Sequence, residues 1–300
     1  MGELLAVSAL LLFSVNVFLV RSAALRLPQD LGFLLALAGN VACAGVLLAG
    51  QYAVGGPQPP LEWDAVGLFA VGGLLTTFLG RWFFFRSVGT IGPTRASALQ
   101  ITNPLFAGLA AWLIIGEALP PSVVLWGLTI MVGLYLTSRR SGGRGEGGGH
   151  AEARSIPLPE LGLALLGALQ YGVGNVARGA AVRDWEAPVF GTLIGATAAL
   201  LVYALRTADL RKLTSALRGA DRRGRHLWIW SGVTTAGAQS CVVAASVHLP
   251  VAVVLVIAAA VPVVVLPVSA VFLRRAEGIG LATVCGVLVV LAGVTGLVLG

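Results

Sequence analysis

Charge is what this sequence lacks. Aspartate, glutamate, lysine and arginine together make up 11% of the 300 residues, against 57% hydrophobic residues. A soluble domain carries about 25% charged residues, and a larger core cannot absorb the deficit, because a water-facing surface needs charge. The solvent must be largely lipid. Cysteine is scarce as well. Cys43, Cys241 and Cys285 lie inside apolar runs, without the paired spacing of a metal site or a disulfide framework, so they read as small packing residues. The three histidines, His150, His226 and His248, fall in loops or at a span boundary. There is no HExxH, no acidic phosphate motif and no Ser/His pair with credible helical placement, so an enzyme is not expected, and neither metal nor cofactor is implied. Carboxylates are missing from the interior of every apolar run, Glu3, Glu117 and Glu277 lying at run ends.

Present instead are ten apolar runs, at about 3–20, 31–54, 64–86, 92–115, 120–138, 158–177, 187–205, 227–247, 250–273 and 278–299. Roughly 20 apolar residues cross a bilayer as a helix, and only a helix satisfies its own backbone there. A barrel would alternate in short segments, which these runs do not. The expectation is an all-α integral membrane protein of ten transmembrane helices, with the first run retained as a helix rather than removed as a signal peptide. Trp63, Trp112, Trp185, Trp228 and Trp230 lie near run ends, where interfacial anchors belong. Glycines inside runs, among them Gly127, Gly133, Gly286 and Gly293, mark expected close helix contacts.

The net charge of +7 would suggest nucleic acid in a soluble protein. Here the basic residues sit in loops, and no RNA-binding aromatic motif or zinc spacing accompanies them, so topology and anionic headgroups account for them and nucleic acid is not an expected partner. The loops after odd-numbered spans, with their flanks, hold 18 lysines and arginines, and the opposite side holds two, Arg178 and Arg183. The positive-inside rule then places both termini outside the cytoplasm of a cell (plasma or inner) membrane.

The glycine-rich stretch 141–157 reads as a linker that divides the chain into 1–140 and 158–300. Landmarks recur across it. Arg21-Ser22-Ala23-Ala24 and Arg178-Gly179-Ala180-Ala181 end the first and sixth runs, Pro104 and Pro262 take matching places in the fourth and ninth, and Glu117 and Glu277 follow them. Two halves of five spans, sharing one fold, sit inverted in the membrane. Such repeats place a substrate site near the midplane between them. Mid-span proline breaks the helical ladder and frees carbonyls, so Pro104 and Pro262 are candidate kinks lining a shared cavity, or kinks of packing alone.

A polar side chain in a membrane is costly unless it faces the bundle interior or water. Asn16, Gln100, Asn103, Gln170, Tyr171, Asn175 and Gln239 lie within runs and are the candidate cavity residues, with interhelical bonding as the other reading of each. Arg81 and Arg95 read as the deepest charges. They either snorkel to headgroups or contact an anionic group of a substrate.

The stretch Ala96-Ser97-Ala98-Leu99, Pro104, Ala110-Ala111-Trp112-Leu113 and Gly116-Glu117, followed by the glycines of the next span, resembles the EamA-type repeat of the drug/metabolite transporter superfamily. Ser14-Val15-Asn16-Val17 resembles its first span. In the second half the likeness is looser, with Arg274-Arg275-Ala276-Glu277 in place of Gly-Glu. The resemblance implies a ten-helix permease that moves small organic molecules between two EamA-like repeats, often exporting amino acids or metabolites. It also implies cytoplasmic termini, opposite to the charge count. Relatives that expel quaternary cations depend on a membrane-embedded carboxylate. Its absence here favours a neutral, zwitterionic or anionic substrate, and a facilitator or weakly coupled exporter. Other readings are a nucleotide-sugar or lipid-linked substrate transporter and, in another class, a non-transporting scaffold or sensor. A homodimer is compatible with duplication but not required by it.

Overall fold

The computed structural model describes residues 1–56, 59–91, 99–117, 120–138, 158–206, 215–217, 219–261, 263–265, 268 and 281–299. Arg95, Pro262 and the linker lie outside them. Every element among the described residues is helical: α1 (Gly2–Ala24), α2 (Gln29–Ala53), α3 (Trp63–Gly73), a π-helical turn (Leu74–Gly80), α4 (Arg81–Ile91), α5 (Asn103–Ile115), α6 (Pro121–Ser138), α7 (Leu158–Asp184), α8 (Pro188–Arg206), α9 (Arg222–Ala245), α10 (Val251–Ala259) and α11 (Leu281–Leu299). Four segments, Gly2–Ala24, Gln29–Ala53, Trp63–Phe84 and Pro188–Arg206, are long and apolar enough to cross a membrane.

Proline and glycine punctuate the chain. Pro28 and Pro250 precede α2 and α10, and Pro188 opens α8, where a missing N–H costs nothing. Gly116 ends α5 at φ 64°, a left-handed cap that a side chain would strain. The Asp221 side chain caps α9 by accepting from the Gly224 N–H at 2.9 Å. That bond and the Arg26 guanidinium at 3.3 Å hold the Asp221 carboxyl below the usual carboxylate range.

The distribution of residues inverts that of a soluble protein. Large apolar side chains point outward, Leu4, Val46, Leu113, Ile114, Leu201 and Leu288 among them, while alanine, glycine and polar residues fill much of the interior. This is the surface of a multi-pass membrane protein, whose helices meet through small residues. The most extensive packing runs α1 along α9, α2 along α9 and α8, α7 along α3 and α5, and α6 along α11. At two crossings backbones nearly touch. A Cβ on Gly73 would lie 2.1 Å from Gly195 Cα, and one on Gly232 would lie 2.1 Å from the Ala36 carbonyl oxygen.

Several local expectations change here. Trp185 and Trp228 are buried rather than interfacial. Gly32 supplies the notch for Trp228, as Gly191 does for Phe69. Trp63, Trp112 and Trp230 are exposed. Gly133 meets Gly286 and Val290, and Gly293 meets Ile130 and Trp126, as a tight seam requires. Gly127 touches only Val256, at ordinary contact distance. Pro104 does not kink a continuous helix. A turn at Ile101 and Thr102 interrupts the span, and α5 starts afresh with Pro104 in its first turn.

Candidate functional site

The middle of the bundle encloses a cavity of about 270 Å³. Each wall comes from a different helix. α1 contributes Phe13 and Asn16; the rod of α3, π-turn and α4 contributes Thr76, Thr77, Arg81 and Phe84. Gln100 and Asn103 stand at the broken start of α5, Tyr171 and Asn175 on α7, Thr235, Gln239 and Val242 on α9, and Leu255, Ala258 and Ala259 on α10. Beyond the cavity, toward the loops that follow even-numbered spans, Ala9, Ala107, Ala111, Val176, Ala245 and Val254 pack into one apolar cluster. On that same side Arg183 and Glu117 form an ion pair at 3.2 Å.

The sequence therefore placed six of its seven candidate amides and phenols on one surface. Gln170 is half-buried and is not among the lining residues. The polar contacts knit different spans together. Asn16 Oδ1 accepts from Ser231 Oγ at 2.6 Å and from Thr234 Oγ1 at 3.4 Å. Arg81 Nη2 donates to Thr235 Oγ1 at 3.3 Å, with its guanidinium 5.8 Å from the Phe33 ring centre. The Tyr171 hydroxyl lies close enough to interact with the same guanidinium. On two of the lining residues, the amide atoms Gln100 Nε2, Gln100 Oε1 and Asn103 Oδ1 are buried without a described partner. Unpaired polar atoms in an apolar bundle cost free energy.

Two arginines lie deeper than the apolar runs indicate. The helical rod continues to Ile91, so Arg81 is ten residues from its end and faces the cavity instead of headgroups. Arg178, taken as a boundary residue of the sixth run, lies one and a half turns inside α7 and is 1% exposed. Its Nη1 donates to Gln239 Oε1. The apolar run was cut at the first arginine, although the helix continues to Asp184. Thr76, Thr77 and Thr235 were also passed over. Thr76 and Thr235 donate to backbone carbonyls a turn earlier, Gly72 and Ser231, at 2.8 and 2.7 Å, and threonine bonded in this way sits unremarked in an apolar helix. The π-turn that carries Thr76 and Thr77 is a geometry frequent at functional sites.

Similarity to known proteins agrees with this architecture. One solved crystal structure superposes over 99% of this chain and 98% of its own, with a TM-score of 0.73 at 19% identity, a likeness of fold alone. No curated protein sequence matches the chain. The family model of the EamA-like transporter family matches residues 1–139, which include α1 to α6 and with them Asn16, Arg81, Gln100 and Asn103. That match, over the first 139 residues, supports an EamA-type member of the drug/metabolite transporter superfamily.

Proposed function

We propose that this protein is a permease that exports a small organic metabolite, an amino acid or a compound of similar size, by alternating access between two inverted five-helix repeats. The observation that carries the proposal is a cavity in the middle of the bundle whose lining residues include amides without described partners. Its volume, about 270 Å³, lies just below the range of drug-sized pockets and suits a metabolite better than a nucleotide sugar. Asn16, Gln100, Asn103, Tyr171, Asn175 and Gln239 are the proposed substrate contacts, with Arg81 available to an anionic group. No carboxylate lines the cavity among the described residues, which supports facilitated or weakly coupled movement rather than proton-coupled expulsion of a cation.

Duplication is supported by packing. Let the ten apolar runs be numbered in order, so that α1 is the first, α7 the sixth and α9 the eighth. The contact of α1 with α9 then exchanges with that of α7 with α3, and α2 on α9 with α8 on α3. α5 on α7 exchanges with α10 on α1, and α6 on α11 maps onto itself. Individual residues follow one offset of 159 positions: Asn16 and Asn175, Gly32 and Gly191, Phe69 and Trp228, Gly73 and Gly232, Thr76 and Thr235. Both aromatic-in-glycine notches and both backbone crossings are thereby related. An odd number of spans per half makes the relation an inversion, and the charge asymmetry supports extracytoplasmic termini in a cell membrane.

The test is transport in liposomes with labelled amino acids. Asn103→Leu and Asn175→Leu are expected to lower flux at least tenfold at equal reconstitution, while Gln170→Leu, off the cavity, leaves it within twofold. Unchanged flux in the two cavity variants would overturn the assignment of these residues.

A further inference from the structure

Two arginines serve this cavity, and among the described residues neither is paired with a carboxylate. Arg81 stands at the wall. Arg178 lies behind it, 1% exposed, with Nη1 on Gln239 and Nε without any partner. The described ion pairs are elsewhere, at Met1–Glu3, Arg26–Asp221 and Arg183–Glu117. A buried guanidinium is expensive in an apolar bundle and is normally matched by an opposite charge. The fold nonetheless makes room for this one. A Cβ on Gly72 would come within 2.5 Å of Arg178 Cγ, so α3 carries no side chain where the arginine stem passes.

The two cations share a ladder. Arg81 is held by Thr235 and Arg178 by Gln239, one turn apart on α9, and both partners line the cavity. The second bond has a consequence for polarity. Gln239 Oε1 is taken up by Arg178, so what the amide of this cavity-lining residue has left to offer is its Nε2 donor. Gln100 Nε2 is a further buried donor without a partner. The N-terminus of α5, the positive end of its dipole, opens at Asn103 on the same wall. The lining thus carries positive charge and N–H donors beside two unpartnered carbonyl acceptors, Gln100 Oε1 and Asn103 Oδ1, and no described carboxylate offsets the charge.

We infer that the cavity takes a small organic oxyanion, a carboxylate or a phosphate ester, docked on Arg81, and that Arg178 is a positioning residue that fixes Gln239 with its donors inward and supplies the second positive charge. This rests on the permease reading and narrows its substrate class. A planar guanidinium matches either oxyanion through paired hydrogen bonds, so the experiment distinguishes the two sources.

Purified full-length protein is titrated in a thermal-shift assay with lactate against its neutral amide, lactamide, and with glycerol 3-phosphate against glycerol. The expected result is stabilisation by at least one of the two anions and at least tenfold weaker apparent affinity for its neutral counterpart. Arg81→Gln is expected to lose that preference and Arg81→Lys to keep part of it. Gln239→Glu is the decisive variant. It retains a partner for Arg178 yet cancels its charge and turns acceptors to the cavity, so the melting temperature without ligand should hold while anion affinity falls tenfold or more. Equal binding of anion and neutral analogue, no stabilisation by either anion, or wild-type anion affinity in Gln239→Glu overturns the inference. The permease reading is tested apart from this: if lactamide crosses proteoliposomes as fast as lactate and Asn103→Leu abolishes both fluxes, the oxyanion inference falls while the transport cavity stands.

Discussion

Gln239 and Gln100 are the same residue type in the same cavity, and their surroundings differ in one respect. Gln239 is the sole described partner of a buried guanidinium, whereas both amide atoms of Gln100 are unpartnered. Replacing Gln239 by leucine strands a buried charge, a change worth about 3 kcal/mol or more. Replacing Gln100 removes two unsatisfied groups and should be close to neutral or stabilising. Unfolding of the purified variants in detergent is expected to show Gln239→Leu well below wild type and Gln100→Leu at or above it; equal melting of the two variants would contradict the contact. The same contrast explains what the sequence disclosed at this scale. Asparagine, glutamine and tyrosine stand out in apolar runs because they have no cheap way to be there, and six of the seven so identified converge. Arg178 stands one residue beyond the sixth apolar run and so counts with the loop, although α7 continues to Asp184. The threonines were hidden by chemistry, since their hydroxyls are satisfied by their own helix.

Glycine decides how the elements meet. On α3, Gly67 faces open space, whereas Gly73 abuts Gly195 of α8 backbone to backbone. In the other half Gly232 of α9 abuts Ala36 of α2. A methyl group at Gly73 or Gly232 has no flexible side chain to push aside, so the helices must part, with overpacking costs of typically 1–3 kcal/mol. At Gly67 the same change costs no contact and gains helix propensity of up to about 1 kcal/mol. Gly73→Ala and Gly232→Ala are therefore expected to lower the melting temperature by similar amounts and Gly67→Ala to leave or raise it. A Gly73→Ala variant that melts like wild type would argue against the crossing. Run length and composition made helices legible across the described residues. They did not reveal that the span containing Pro104 is broken at Ile101 and Thr102, because a proline in an apolar run is equally consistent with a kink. Nor did they single out the glycines at crossings from those facing lipid. That distinction depends on which helices are neighbours, and it became readable only once the 159-residue offset could be matched to contacts.

For the molecule as a whole, the two faces differ in chemistry, and the difference suggests how the bundle is held closed on one of them. The face bearing the loops after odd-numbered spans carries Arg26, Arg206 and the basic start of α9, with Trp82 sandwiched near Arg86 and Arg206 at 5.3 and 4.9 Å. The opposite face loses one of its two basic residues from the count, since Arg178 is interior, and its remaining one, Arg183, is ion-paired to Glu117. With Arg81 likewise interior at the cavity, the count of 18 to 2 becomes 17 to 1, in keeping with the proposed orientation with extracytoplasmic termini. Glu117 follows α5 and Arg183 ends α7, so in the proposed two-repeat arrangement this pair ties the halves together, on the side of the cavity where the apolar cluster packs. The proposed exchange of access would separate them. With Glu117 mostly buried and Arg183 partly exposed, Glu117→Gln weakens the tie by about 1 kcal/mol after allowance for screening, enough to raise the population open to that face about fivefold. A cysteine at Asn103, in a background with Cys43, Cys241 and Cys285 replaced by serine, reports that population through its rate of modification by a membrane-impermeant thiol reagent. In intact cells the rate is expected to rise several-fold with Glu117→Gln and to be restored by added substrate that favours the closed state. Acceleration seen only in inverted vesicles would place Glu117 on the cytoplasmic side and turn the bundle over, while no acceleration in either preparation would show that the ion pair does not govern access.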